Sequence, residues 1–206
     1  MRSDEELLED WRAGTPAAGA ELVERHFSSV FRFFRSKVDK EASDLAQQTF
    51  TACVEQRDRI PEGVGFRAYL MGIAYKQMLM FLRRKGRERK KHDDFARRSV
   101  EELTGTPSQI IAARQEQTLL LRALRRIPLE MQVLIEMHYW EGIGMKGIAE
   151  VLDIPPGTVK SRLHRARATL RKQVVEVADS PELAKSTVDN LDKWAGELRD
   201  LLPASK

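Results

Sequence analysis

Apolar residues recur along this chain at steps of three and four, and no run of four to eight residues alternates in strand fashion between turn signals. The fold class expected is therefore all-α. Ser3 with Glu6 reads as a capping box opening a helix that stops at Gly14. Thr15 caps a second helix with Pro16 at its first position, and Leu22, Val23, His26, Phe27, Val30, Phe31 and Phe34 form its apolar face. His26 is expected to be packed and hydrogen-bonded there. A third helix is predicted from a Ser43 cap, with Leu45, Ala46, Thr49, Phe50, Cys53 and Val54 inward and Asp44, Gln47, Gln48 and Thr51 outward.

Pro61, Gly63 and Gly65 break the chain over 57–65, and a long helix resumes over 66–87. The apolar period then fades and charge rises, which marks a linker over 87–106 between a first domain, 1–86, and a second, 107–178. Thr106, Pro107 and Gln109 open the second domain, and Ile110, Ile111 and the leucines of LLLRALRRI follow. Pro128 restarts a helix to Trp140, a turn covers 141–144, and two helices follow, Met145 to Leu152 and Pro156 to about Val177. The remainder, 179–206, reads as one amphipathic helix of about 22 residues. Leu183, Val188, Leu191, Trp194, Leu198, Leu201 and Leu202 make its apolar side, which either packs on the second domain or restrains activity as a mobile acidic tail.

Composition narrows the function. Charged residues make up 32% of the chain, and no stretch reaches the roughly 18 apolar residues of a membrane span, so a cytoplasmic protein with no membrane association is expected. One cysteine, Cys53, and four scattered histidines offer no metal-ligand spacing, so no metal or cofactor is expected. An enzyme is disfavoured by the lack of a phosphate-binding glycine loop or nucleophile elbow. The net charge of +4 hides segregation: residues 1–56 carry −4, 57–100 carry +8, 101–140 carry −1, 141–178 carry +3 and 179–206 carry −2. Such alternation suits a chain with one surface for a polyanion and another for a basic partner.

The sharpest signal lies at 156–177. Val159, Leu163, Ala166 and Leu170 form a buried stripe, and basic side chains occupy the rest of the helix. With Ile148, Ala149 and Leu152 on the preceding helix and Ile154 plugging the turn, the pair reads as a DNA-binding helix-turn-helix. Thr158, Lys160, Ser161, His164 and Arg165 then face base edges, while Arg162, Arg167, Arg171 and Lys172 face phosphates.

The run YWEGIGMKGIAEVLDIPPGTVKSRLHRARATLRK resembles region 4 of bacterial sigma factors of the extracytoplasmic-function group, in the sigma-70 family. DLAQQTF at 44–50, FRAYLMGIA at 66–74 and LRR at 82–84 resemble region 2 of the same family, ahead of a linker. The resemblance implies a factor that binds core RNA polymerase and directs it to promoter DNA, with region 2 binding and opening the minus 10 element and region 4 reading the minus 35 element. An anti-sigma factor is a further partner that the family admits. The implied polymerase face is Asp44, Gln47, Gln48 and Thr51. The implied minus 10 residues are Arg59 and Ile60 in the 57–65 break, then Tyr69, Lys76, Arg83 and Arg84 on the long helix. Phe66 is expected in the core, whereas Tyr69 suits stacking on a base or core packing equally.

Departures from the family pattern are Tyr69, Gly72, Tyr75 and Lys76, where Trp, Arg, Arg and Asn are usual, and Gln48 and Gly147, where glutamate is usual. Gly147 inside a helix costs roughly 0.5–1 kcal/mol. Asp153 stands where glycine is common in the turn and tolerates the left-handed conformation better than most residues. The alternative reading is a two-domain helix-turn-helix regulator that acts without core polymerase.

Overall fold

The structure, a computed structural model, describes residues 2–38, 40–61, 63–87, 99 and 115–190. Among these residues the elements are helical, with one isolated antiparallel bridge between Ser99 and Pro128. The predicted opening of the second domain at Thr106 to Ile111, and all but Ser99 and Arg87 of the linker, lie outside the described residues. None of the described helices is long and apolar enough to cross a membrane.

Four helices build the first unit: α1 (Asp4–Arg12), α2 (Pro16–Arg35), α3 (Ala42–Glu55) and α4 (Phe66–Arg87). The capping box of α1 is formed, with the Glu6 N–H donating to Ser3 Oγ at 3.1 Å and the Ser3 N–H to Glu6 Oε2 at 2.7 Å. Gly14 follows with φ +98°, a conformation that favours glycine. Thr15 occupies the N-cap of α2 without a side-chain bond, because Pro16 already supplies the preset first turn. Ser43 does not cap α3. The helix begins two residues earlier than such a cap implies, at Ala42 after Glu41, and Ser43 is exposed in its first turn.

Val54 was expected inward but is exposed, because Cys53 takes the buried position at that turn. Leu22, Phe33, Phe34, Leu45, Phe50, Phe66, Leu70 and Met78 fill the core between the helices. Cys53 lies within it, and burial pushes its thiol pKa up to about 12, which keeps it protonated and unreactive.

His26 is held as the sequence suggests. Its Nε2 lies 2.7 Å from Asp4 Oδ2, and the other Asp4 oxygen accepts from Arg25 at 2.7 Å, so one carboxylate ties α1 to α2. Burial holds the imidazole pKa below its usual value against the opposing pull of Asp4, and the charges of Arg67 and Arg25 act in the same direction as burial. The unfolded chain therefore takes up this proton first as pH falls below about 6.5, and stability is lost as pH falls from there towards the lower folded pKa. Thermal unfolding at pH 7.5 and 5.5 should show a lower Tm at 5.5, with a smaller drop in His26→Gln. An equal drop in both proteins would assign the effect elsewhere.

The second unit comprises α5 (Gln115–Arg126), α6 (Leu129–Ile135), α7 (Met145–Leu152), α8 (Pro156–Val177) and α9 (Pro181–Asp189). The expected helix from Pro128 to Trp140 is present, but its last turn, Glu136–Trp140, widens into a π-helix. The long C-terminal helix is seen only in part. Ser180 caps α9 by accepting from the Leu183 N–H at 3.1 Å, and α9 packs against α5 and α8 with Ala184 and Thr187 buried. Asn190 ends that helix, and residues 191–206, including Trp194, lie outside the described residues.

Candidate nucleic-acid interface

In α7 and α8 the turn is made by Asp153, at φ 53° and ψ 51°, the left-handed conformation its side chain tolerates. The Ile154 N–H returns to the Ala149 carbonyl at 3.0 Å, and Ile154 packs against the core beneath the turn. Pro156 begins α8. Val159, Leu163, Ala166 and Leu170 are buried along one side of α8, continuing to Val174 and Val177. This stripe fixes which residues remain outside.

Lys160, Ser161, His164, Arg165, Arg171 and Lys172 are exposed, whereas Thr158, Arg162 and Arg167 are half-buried. Ser161 Oγ donates to the Thr158 carbonyl at 3.0 Å, which turns its hydroxyl back onto the helix in the free chain. Arg162 approaches Glu130 at 3.9 Å, and the Arg167 guanidinium lies 5.5 Å from the centre of the Tyr139 ring. Both arginines thus lean towards the domain body, and the outward polar surface is carried by Lys160, His164, Arg165, Arg171 and Lys172, the last 3.7 Å from Glu176.

On the first unit, the outward face of α3 is as expected: Asp44, Gln47, Gln48 and Thr51 are all exposed. The 57–65 segment contains a short 3-10 turn, Arg57–Arg59. Arg59 is exposed, but Ile60 is a core residue at 3% exposure. Its carbonyl accepts from Arg12 at 2.5 Å, which tethers the segment to α1. Ile60 is therefore corrected from a surface contact to an anchor: an isolated apolar residue between Arg59 and Pro61 packs inward when its loop lies on a core.

Phe66 is buried at 2%, as expected. Tyr69 is half-buried, with its hydroxyl 3.4 Å from Gln56 Oε1, and partial burial raises its phenol pKa. Lys76, Arg83 and Arg84 are exposed further along α4, so Tyr69, Gly72, Lys76 and Arg83 lie on one stripe of the helix.

A groove of about 370 Å³ runs beside that stripe, lined by Tyr69, Ile73, Lys76, Met80, Glu150 and Val151. The last two belong to α7, so the second unit forms one wall. Sequence reasoning did not anticipate Glu150 or Val151 here. The signal that could have found them is Gly72, a glycine within a helix otherwise suited to larger residues.

Comparison with known proteins resolves the family. The sigma-70 region 2 family matches residues 22–88, and the sigma-70 region 4 family matches residues 117–170. The chain belongs to the sigma-70 family, in its extracytoplasmic-function group. This sigma factor is 23% identical over 180 residues to the ECF RNA polymerase sigma-E factor of Haemophilus influenzae, covering 84% of this chain and 95% of the relative. It is 31% identical over 170 residues to the ECF RNA polymerase sigma factor SigE of Mycolicibacterium smegmatis, covering 81% of this chain and 64% of that protein. Its fold matches that of the sigma factor RpoE solved with the anti-sigma factor NepR from Bartonella quintana, with a TM-score of 0.61 and 21% identity over 78% of this chain and 98% of that one. The region 2 match falls on α2–α4 and the region 4 match on α5–α8, and the protein acts in transcription initiation.

Proposed function

We infer that this sigma factor binds core RNA polymerase, that region 2 binds and opens a minus 10 element, and that region 4 reads a minus 35 element. The observation that carries the reading is the exposed cationic side of α8, held opposite its buried Val159–Leu170 stripe and joined in one chain to a region 2 unit. Lys160, Ser161, His164 and Arg165 occupy the N-terminal half of α8, the part of a recognition helix that reaches base edges, with Thr158 beside them. Arg171 and Lys172 bind phosphates further along, assisted by Arg162 and Arg167 once they turn from the domain body. Tyr69, Lys76, Arg83 and Arg84, with Arg59 at the edge, serve the opened strand through stacking and phosphate contacts.

The polymerase contact is placed on Asp44, Gln47, Gln48 and Thr51, an exposed polar face free of core duties. An anti-sigma factor is a further partner to seek, since the Bartonella relative was solved with one. Charge reversal by Asp44→Lys should reduce capture by core polymerase while the Tm falls little. Asp44 lies in the first turn of α3, so the reversal itself costs the helix only about 0.3–1 kcal/mol. Pull-down and melting are measured together; undiminished capture removes this face from the interface.

A further inference from the structure

Helix α1 precedes the stretch matched to region 2, yet it is fastened to α2 at both of its ends. Near its start the Asp4 carboxylate binds Arg25 and His26, each at 2.7 Å. Near its end the buried Trp11 ring lies in a notch that glycine leaves open, since a Cβ at Gly19 would come 2.5 Å from the indole Nε1. The next residue, Arg12, is thereby held beside the segment that leads from α3 into α4.

Arg12 spans that segment. Its Nε donates to the Arg57 carbonyl at 3.3 Å and its Nη2 to the Ile60 carbonyl at 2.5 Å, so one planar guanidinium holds peptide oxygens on both sides of the turn. The turn has little other support: the 3-10 helix Arg57–Arg59 has no side-chain cap, and the Ile60 N–H reaches the Arg57 carbonyl only at 3.4 Å. Burial of Ile60 fixes where the segment sits, not how its peptide planes turn. Trp11 adds a second hold, with the Arg57 guanidinium 5.9 Å from its ring centre. Arg59, exposed between the two held carbonyls, therefore departs from backbone that α1 has fixed.

The hold extends to α4. The Arg59 N–H donates to the Gln56 carbonyl at 2.9 Å, and the Tyr69 hydroxyl lies 3.4 Å from the Gln56 side-chain oxygen. Gln56 thus joins the turn to the ring assigned to base stacking.

We propose that Arg12 is a positioning residue for the opened minus 10 strand, setting the backbone of Arg57–Ile60 so that Arg59 and Tyr69 meet the strand together. This role makes α1, outside the matched stretch, part of the strand-binding apparatus, and it rests on the assignment of Arg59 and Tyr69 to the strand given above. Arg12 acts through the turn, because it is half-buried and its donors are directed to the two carbonyls. A lysine there keeps the charge but lacks the rigid fork of donors that reaches both oxygens.

The test uses holoenzyme reconstituted with core polymerase and a labelled single-stranded oligodeoxynucleotide carrying the minus 10 strand of a promoter selected with the wild-type factor. Arg59→Ala should weaken strand binding about tenfold, the loss of one charge-assisted contact. Arg12→Met should weaken it about as much, with capture by core polymerase retained. The pair of variants decides the matter: in the Arg12→Met background, Arg59→Ala should cost less than about twofold more, because a misdirected Arg59 has little left to lose. Arg12→Lys should melt like the wild type and still bind the strand about fivefold more weakly. Should Arg12→Met fail to fold, the same pairing is made with Arg12→Lys.

Losses that simply multiply in the double variant overturn the proposal, as does wild-type strand binding by either Arg12 variant. Undiminished binding by Arg59→Ala has a different meaning: the assignment of Arg59 to the strand then fails first, and the positioning role falls with it.

Discussion

Replacing Glu136 with leucine is expected to detach region 4 from region 2, at a cost of about 3–5 kcal/mol to the closed arrangement. The substitution leaves the Lys37 ammonium buried without its carboxylate, and the Ser36 hydroxyl and Gln132 amide lose the same acceptor. Even with Glu136 present, burial lowers the Lys37 pKa to about 8, with Arg125 adding to that effect, while burial raises that of Glu136. The pair is costly to desolvate, and it persists because each member neutralises the other.

The stranded charge can regain water if the two units separate. The loss should therefore appear as an expanded chain by scattering and as two thermal transitions, with helicity kept. Replacing both partners, Lys37→Met with Glu136→Leu, should restore much of the compactness, because neither charge is then left unpaired. A compact Glu136→Leu protein with the wild-type melting profile would show that the pair contributes little.

Arg165→Ala is expected to weaken binding to the cognate upstream element by roughly 1–3 kcal/mol, while binding to scrambled duplex changes far less. Arg165 is exposed in the N-terminal half of α8, and the Thr169 hydroxyl donates to its backbone carbonyl at 2.9 Å, a contact that does not involve its side chain. Truncation removes no core contact, so the fold should be kept. Arg171→Ala, on the later part of the same exposed side, should lower affinity for both duplexes alike and reduce the salt dependence by about one phosphate contact. Fluorescence anisotropy over a salt series separates the two. Unchanged discrimination by Arg165→Ala would move base reading to other residues of α8.

The parts legible in the sequence are those decided by local periodicity and breakers. The bounds Phe66–Arg87, Met145–Leu152 and Pro156–Val177 follow from glycine and proline punctuation around strong 3.6-residue stripes, and Asp153 follows from the need for a left-handed turn. Short-range chemistry misled where tertiary contacts decide. Ser43 was a good cap in principle, yet α3 begins earlier because Ala42 is drawn into the core. Ile60 sits in a loop whose tether, Arg12, lies 48 residues away. The Lys37–Glu136 pair joins residues 99 apart that carry no local sign of their partnership, since a lone lysine at a helix end normally reads as a solvated charge. Gly72 and Gly147 were visible as departures, but only the crossing of α4 and α7 gives them a common cause.

Whether this chain is a sigma factor in action is decided by promoter-directed run-off transcription with purified core polymerase, on genomic fragments selected by footprinting with the reconstituted holoenzyme. Initiation is expected at a discrete start downstream of paired elements only when this chain is added, with neither core polymerase nor the chain alone forming an open complex. Specific binding by the chain alone as a dimer, with no start directed by its addition to core polymerase, would identify a helix-turn-helix regulator instead of a sigma factor.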